Sequence, residues 1–407
     1  MKIQIIKPIL DIFYPLIIIV ILLVFRYLSL YNVFIGYVIY CTIAYFKTKT
    51  VLIYSKTEFM NDLLKKCPTI RNPDFKAYFY LPFTFFQFII IRYSNKKNNK
   101  QEIIYKEEKI NDEGTSIIWV SYKNDKNIHS RPVLFIFPGI TGKTSDFYIK
   151  NIISTGLENN FDLVIYQMRT LCEEMKMPKD NQFVNFCEEV DDCLKRVKEI
   201  NNNKLYAIGY SYGANTLTKY LSSKNVETNY IEGAISISNP FDLFISQRIG
   251  EGNLYEHVMI QFEKKNYIPG AITVNKVKPN YFDINRLRTA NTAKEFDGEF
   301  FVKVLGYKNG DDYYRQISSY KLVKNINVPF LIINAKDDPV CNYKGIPIDD
   351  ISENKNILLI LTDKGAHSCY IENESQFSLK TRQWILKPII EFLTYLKENS
   401  LRKCNKY

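Results

Sequence analysis

Histidine is nearly missing from this sequence: 407 residues hold only His129, His257 and His367. Any chemistry that needs an imidazole base has three places to go. Eight cysteines occur, yet none in a C-x-x-C pair. That absence excludes the usual spacing of a zinc clip or a dithiol redox couple. An even count spread from Cys41 to Cys404 defines no disulfide framework in so long a chain, and the thiols read as reduced groups of a cytosol-facing domain. Glycine and proline are scarce, at 16 and 15, and internal repeats are absent. Lysine is abundant beside asparagine, isoleucine and tyrosine, so the net charge of +11 reads mainly as biased composition. No basic helix, zinc spacing or stacking motif accompanies that charge, so a nucleic-acid partner is not expected.

What is present begins with an apolar stretch. From Ile12 to Phe46 the only charged residue is Arg26. A single helix of that length would run about 50 Å, against a hydrocarbon core of about 30 Å. Residues 1–50 are therefore expected to be a membrane anchor, either two short helices turning near Ser29–Asn32 or one span plus an interfacial segment. Lys2 and Lys7 precede it, while Lys47, Lys49, Lys56, Lys65 and Lys66 follow. Both arrangements leave the body of the protein on the cytosolic side. Residues 51–100 read as an aromatic and basic connecting region. Their run from Tyr78 to Ile91 is too short and too broken by Pro82 for a span, which leaves core packing or a place against the membrane.

From residue 101 to about 400 the pattern is that of one α/β domain, and the hydrophobic fraction of 46% is ample for its core. Glu102–Ile110 and Ser116–Lys123 read as a hairpin. Short apolar runs follow at 133–137, 163–166, 205–208, 233–238, 328–334 and 356–361. Helical periodicity lies between most of them, as in Gln182–Ile200, where Phe183, Phe186, Val190, Leu194 and Val197 share a face. Buried strands separated by helices predict a mostly parallel sheet covered on both faces. The alternation breaks between about residues 240 and 327, which reads as an inserted helical cap. A terminal helix is expected over Thr381–Lys397, kinked at Pro388.

Within this frame one turn stands out. Leu205–Ile208 is followed by Gly209-Tyr210-Ser211-Tyr212-Gly213 and then by a helical segment. Strand, G-x-S-x-G and helix are the setting of a nucleophilic serine held on a sharp turn. A serine hydroxyl needs a base, and the base needs an acid to fix its tautomer. His129 lies before the first strand after the hairpin and His257 lies in the cap. His367 follows the last predicted strand, on a loop at the carboxyl end of the sheet, where such folds place their sites. The acid comes from Asn334-Ala335-Lys336-Asp337-Asp338-Pro339. Asp338 is preferred, with Asp337 as a turn or capping residue. The amide of Tyr212, at the start of the helix, is one candidate oxyanion donor. The amide of Ile140, in Phe137-Pro138-Gly139-Ile140-Thr141-Gly142, is the other.

The order Ser211, Asp338, His367 is that of α/β-hydrolases, and the region from about Tyr78 to Leu396 resembles the AB hydrolase 4 family. Further matching text includes Ser236–Leu243, Glu295-Phe296-Asp297, Gly306-Tyr307 and Asp312-Tyr313-Tyr314-Arg315. Thr170 departs from a glycine of the family pattern, Pro138 from a common histidine, and Gly365-Ala366-His367-Ser368-Cys369 from Gly-Gly-His-x-Gly. The resemblance implies an α/β-hydrolase fold, a membrane anchor, and hydrolysis of lipid carboxylic esters, acylglycerols or phospholipids. No metal or organic cofactor and no obligate protein partner are expected. The alternatives are a thioesterase or acyltransferase with the same triad, although no H-x-x-x-x-D pattern supports transfer, and a silent lipid-binding protein of the same fold.

Overall fold

The computed structural model describes residues 30–80, 84, 87, 102–111, 114–168, 186–224, 229–375 and 378–404. The expected apolar strands all form. In chain order they are β1 (Thr50–Tyr54), β2 (Ile103–Lys109), β3 (Ser116–Tyr122), β4 (Val133–Phe137), β5 (Asp162–Gln167), β6 (Leu205–Tyr210), β7 (Gly233–Ile237), β8 (Phe330–Ala335) and β9 (Ile357–Thr362). They build one sheet in the order β1-β9-β8-β7-β6-β4-β5-β3-β2. The pairs from β5 through β9 run parallel. The flanking pairs β1–β9, β3–β5 and β2–β3 are antiparallel.

Parallel strands feed helices on both faces, so their side chains are apolar in both directions. In β4, Val133, Phe135 and Phe137 join one buried layer and Leu134 and Ile136 the other, because successive side chains alternate across a strand. The first layer continues into the segment between β7 and β8, through Phe296, Phe300 and Tyr313. That segment contains helices Leu243–Gly250, Leu254–Val277, Ala293–Glu299 and Gly310–Ile317. The second layer is closed by Met60, Leu63, Trp384, Ile389 and Leu393. β2 carries Lys106, Glu107 and Glu108 and is largely exposed, as suits a charged edge strand.

Three details differ from the sequence-based expectation. Thr50–Tyr54, read as the end of an anchor and the start of a connector, is instead an edge strand of the sheet. Helix Glu58–Lys66 packs against the terminal helix, and Thr69 binds the Glu391 carboxylate through its amide at 2.9 Å and its hydroxyl at 2.6 Å. The terminal helix runs over Leu386–Cys404, while Thr381–Gln383 pairs with Ile371–Asn373 as a small hairpin. Pro388 therefore falls in the first turn, where its missing N–H leaves no bond unmade.

Most of the expected anchor, residues 1–29, lies outside the described residues. Its last part is the helix Leu30–Lys47. Among the described residues no helix is long and apolar enough to cross a membrane, so the expected transmembrane helix is not among them. Of the run from Tyr78 to Ile91, Tyr78 is buried and Thr84 and Gln87 are helical; residues 81–83, 85–86 and 88–91 are outside the described set.

Candidate active site

Strand register brings the loops of the site to one end of the sheet. Phe137 pairs with Gly209, so the loop after β4 begins beside the turn after β6. Ala335 pairs with Thr362, which sets the loops after β8 and β9 side by side. Ser211 occupies the turn itself, with φ of 52°. A side chain in that left-handed region is strained. The Ser211 amide donates to the Ile237 carbonyl at 2.9 Å and ties the turn to β7. The two glycines are demanded by contact. A Cβ on Gly209 would lie 2.6 Å from the Ala214 Cα, and one on Gly213 would lie 2.2 Å from the Pro138 carbonyl oxygen.

His367 lies between the serine and an acid. Its Nε2 is 2.9 Å from the Ser211 Oγ, and its Nδ1 is 2.9 and 3.1 Å from the two oxygens of Asp338. A carboxylate only accepts, so Nδ1 carries the hydrogen and Nε2 keeps a lone pair for the serine O–H. The amides of Val340 and Cys341 donate to the Asp338 Oδ1, each at 2.9 Å, fixing the buried carboxylate. Asp337 faces elsewhere. It accepts from the Ala366 amide and the Thr84 hydroxyl, both at 2.9 Å. Burial raises the pKa of Asp337, while Lys364 and these two donors act against the rise. Ala366 and Ser368, on either side of His367, both have positive φ. Asp337 holds the first, and the Ser238 hydroxyl accepts the amide of the second at 2.9 Å.

Residues 132–374 match the family described as alpha/beta hydrolase fold. The chain belongs to this family. It is 27% identical over 280 residues to embryogenesis-associated protein EMB8 of Picea glauca, covering 67% of this chain and 60% of that one. It is 28% identical over 272 residues to a monoacylglycerol lipase of Saccharomyces cerevisiae, with coverages of 65% and 59%. A phospholipase ABHD3 of Bos taurus is 24% identical over 262 residues, with 63% of each chain covered. The chain thus spans about three fifths of the length of these relatives. They accord with the resemblance to AB hydrolase 4 proteins drawn from the residues alone.

The other histidines of this α/β-hydrolase are not at Ser211. His129 packs edge-on against Trp119, with ring centroids 4.4 Å apart. His257 lies on the helix Leu254–Val277. Tyr212 is the first residue of the helix Tyr212–Ser223, and Tyr212 and Ile140 line the same cleft as Ser211. Sequence reasoning missed what fixes the Ile140 loop. The Gly139 amide donates to the Tyr148 hydroxyl at 3.1 Å, and the Tyr267 hydroxyl, from the segment between β7 and β8, donates to the Ile140 carbonyl. No local motif marks either tyrosine.

The cleft measures about 800 Å³ with its open mouth. Ile140, Leu243, Met259, Pro339 and Val340 give the cleft that holds Ser211 an apolar wall, and the buried acids Glu263 and Asp297 line it as well. Burial, then the charge of Asp297, pushes the Glu263 carboxyl well above the ordinary carboxylate range. Burial raises Asp297 to about 7, although the Tyr314 hydroxyl donates to its Oδ2 at 2.6 Å and opposes the rise. Asp338, Cys341 and His367 have ligand atoms within 4.8 Å of one another, a spacing a metal ion could use. The chemistry fits a metal poorly. Both ring nitrogens of His367 are engaged, and burial with the Asp338 charge pushes the Cys341 thiol well up, which keeps it protonated.

Proposed function

We propose that this α/β-hydrolase cleaves carboxylic esters of lipids, acylglycerols or phospholipids, through a Ser-His-Asp triad. The observation that carries the reading is the unbroken hydrogen-bonded line from Ser211 through His367 to Asp338. His367 takes the serine proton at Nε2 as Oγ attacks the acyl carbonyl. Asp338 holds the imidazole in place and stabilises the cation that forms. The amides of Tyr212 and Ile140 receive the oxyanion. His367 then protonates the leaving alcohol, and an acyl-enzyme remains on Ser211. Water, deprotonated by the same imidazole, attacks that ester and releases the fatty acid.

The lipid character of the substrate is supported by the apolar wall of the cleft that holds Ser211 and by relatives named as a monoacylglycerol lipase and a phospholipase. It is also supported by the helix Leu30–Lys47, whose Tyr31, Phe34, Ile39, Ile43 and Phe46 are exposed to solvent. Such a surface suits a lipid interface. In this reading residues 1–50 hold the enzyme on a membrane and the lysines that follow keep the body on the cytosolic face.

A fluorophosphonate probe applied to membranes bearing the chain tests the reaction. It should label the unaltered chain and leave Ser211→Ala unlabelled. Labelling that persists in the variant removes Ser211 from the role of nucleophile.

A further inference from the structure

Three buried side-chain atoms on three helices between β7 and β8 have no hydrogen-bond partner, and their residues line the cleft that holds Ser211. They are Nε2 of Gln247, Oε2 of Glu263 and Oδ1 of Asp297. Gln247 belongs to the helix Leu243–Gly250, Glu263 to Leu254–Val277 and Asp297 to Ala293–Glu299. Glu263 and Asp297 are only 6% and 7% exposed. Tyr314 holds the Oδ2 of Asp297, which leaves Oδ1 unmet. Glu256 lines the same cleft, but its carboxylate already accepts the Gly252 and Ala293 amides. Among the described residues that line the cleft there is no lysine or arginine. A buried acceptor without a donor is costly, and each such group calls for an explanation.

We propose that Gln247, Glu263 and Asp297 form a subsite for the hydroxyl groups of the alcohol half of the substrate. The preferred ester is then a partly acylated polyol, with a monoacylglycerol as the simplest case. This rests on the hydrolase reading above and narrows it. A fatty acyl chain laid over these three atoms would leave them all unmet, so the chain belongs against the apolar residues of the lining. A fully acylated lipid has no hydroxyl to offer. A vicinal diol brings two hydroxyls, each able to donate and to accept, so it can meet both acids, whichever of them holds a proton, and the amide nitrogen as well. A quaternary ammonium has no hydrogen to donate, and it would leave the Gln247 donor unmet. Two buried acids side by side do not both ionise readily. The pair then presents a donor and an acceptor, which a hydroxyl satisfies better than a cation does.

The test uses the full chain and the ratio of kcat/KM for a 1-monoacylglycerol to that for the methyl ester of the same acid. A ratio does not depend on the fraction of folded enzyme. The unaltered chain should favour the glycerol ester, and Glu263→Gln and Asp297→Asn should each lower the ratio about 10- to 100-fold. An unchanged ratio in both variants overturns the subsite. A binding arm separates it from the hydrolase reading. The Ser211→Ala chain should bind a 1-O-alkylglycerol more tightly than the alkyl methyl ether of equal length, with the difference lost on adding Glu263→Gln. If the unaltered chain cleaves neither ester yet this difference holds, the hydrolase reading fails and the subsite stands. Equal binding of the two ethers, or tighter binding of an alkyltrimethylammonium of equal length, overturns the subsite whatever the hydrolysis.

Discussion

Asp338 faces the Nδ1 of His367 with both carboxylate oxygens, at 2.9 and 3.1 Å. Asp337, the preceding residue, faces away from the ring and holds the loop that carries it, through the Ala366 amide. One acid addresses the imidazole and its neighbour addresses the backbone beneath it. The two carboxylates, adjacent in sequence, are thereby given different work.

This division predicts unequal mutants. Asp338→Asn keeps the shape but supplies an amide that can hold the wrong tautomer, and kcat should fall by about 10³- to 10⁴-fold. Asp337→Asn keeps an acceptor for the Ala366 amide and should cost about tenfold or less, the scale of one neutral hydrogen bond. Hydrolysis of a short-chain chromogenic ester measures both. The reverse ranking would assign the acid to Asp337.

A second expectation follows from the contact between Gly213 and the loop after β4. A Cβ on Gly213 would sit 2.2 Å from the Pro138 carbonyl oxygen and 2.4 Å from that of Phe137. Backbone cannot step aside as a flexible side chain can, so Gly213→Ala must shift the helix start away from the Ile140 loop. We expect a loss of about 1–3 kcal/mol of stability, read from denaturant unfolding. The rate of fluorophosphonate labelling should fall too, because the Tyr212 and Ile140 amides separate. A variant as stable and as reactive as the unaltered chain would mean that the turn relaxes freely.

Which parts of this were legible in the sequence depends on where the information lies. Ser211 and His367 announce themselves through local turn chemistry, and Asp338 through its place after β8 and before Pro339. The core strands are equally local, because burial on both faces leaves continuous apolar runs. Glu263 was not legible. It sits in Phe262-Glu263-Lys264-Lys265, which reads as a solvated charge cluster, and only the packing of the helices between β7 and β8 turns it inward. Asp297 was visible as part of a family-like motif without a role. Thr84, Tyr148 and Tyr267 act through contacts between residues far apart in the chain, for which a single sequence carries no period. β1 was hidden because five residues, Thr50–Tyr54, make too short a signal beside an apolar stretch.

Acidity in the helices between β7 and β8 carries a pH signature. Asp297 keeps its proton to about pH 7 in the folded chain, against about pH 4 for an unfolded aspartate. Between those values the folded state binds the additional proton, so stability falls as pH rises. The contribution is fully present below about pH 4 and is lost as pH passes about 7. Glu256, Glu263, Tyr313 and Tyr314 face the same region, and burial raises each of them as well. The unaltered chain should therefore lose melting temperature between pH 5 and pH 8, by more than Asp297→Asn does. The asparagine can still accept the Tyr314 hydroxyl but has no proton to lose. Parallel melting curves for the two chains would show that Asp297 is ionised throughout.

The helix Leu30–Lys47 offers the last test. Phe34 is 66% exposed, Ile39 53% and Phe46 60%, and burying such side chains is worth about 1.5–3 kcal/mol each. The helix is also tied to the body. Tyr37 donates to the Tyr80 carbonyl, and Tyr45 meets Phe79 edge-on with centroids 5.7 Å apart. A lipid surface engaged by this face would hold the body close to the bilayer, within reach of substrates that partition there. A chain lacking residues 1–29 should then still sediment with anionic vesicles, since Lys47 and Lys49 add attraction to the apolar face. Adding Phe34→Lys and Ile39→Lys should release it to the supernatant without lowering the melting temperature of the body, because both side chains already face solvent. If the shortened chain fails to sediment before those substitutions are made, membrane attachment belongs to residues 1–29 and the helix is only their stem.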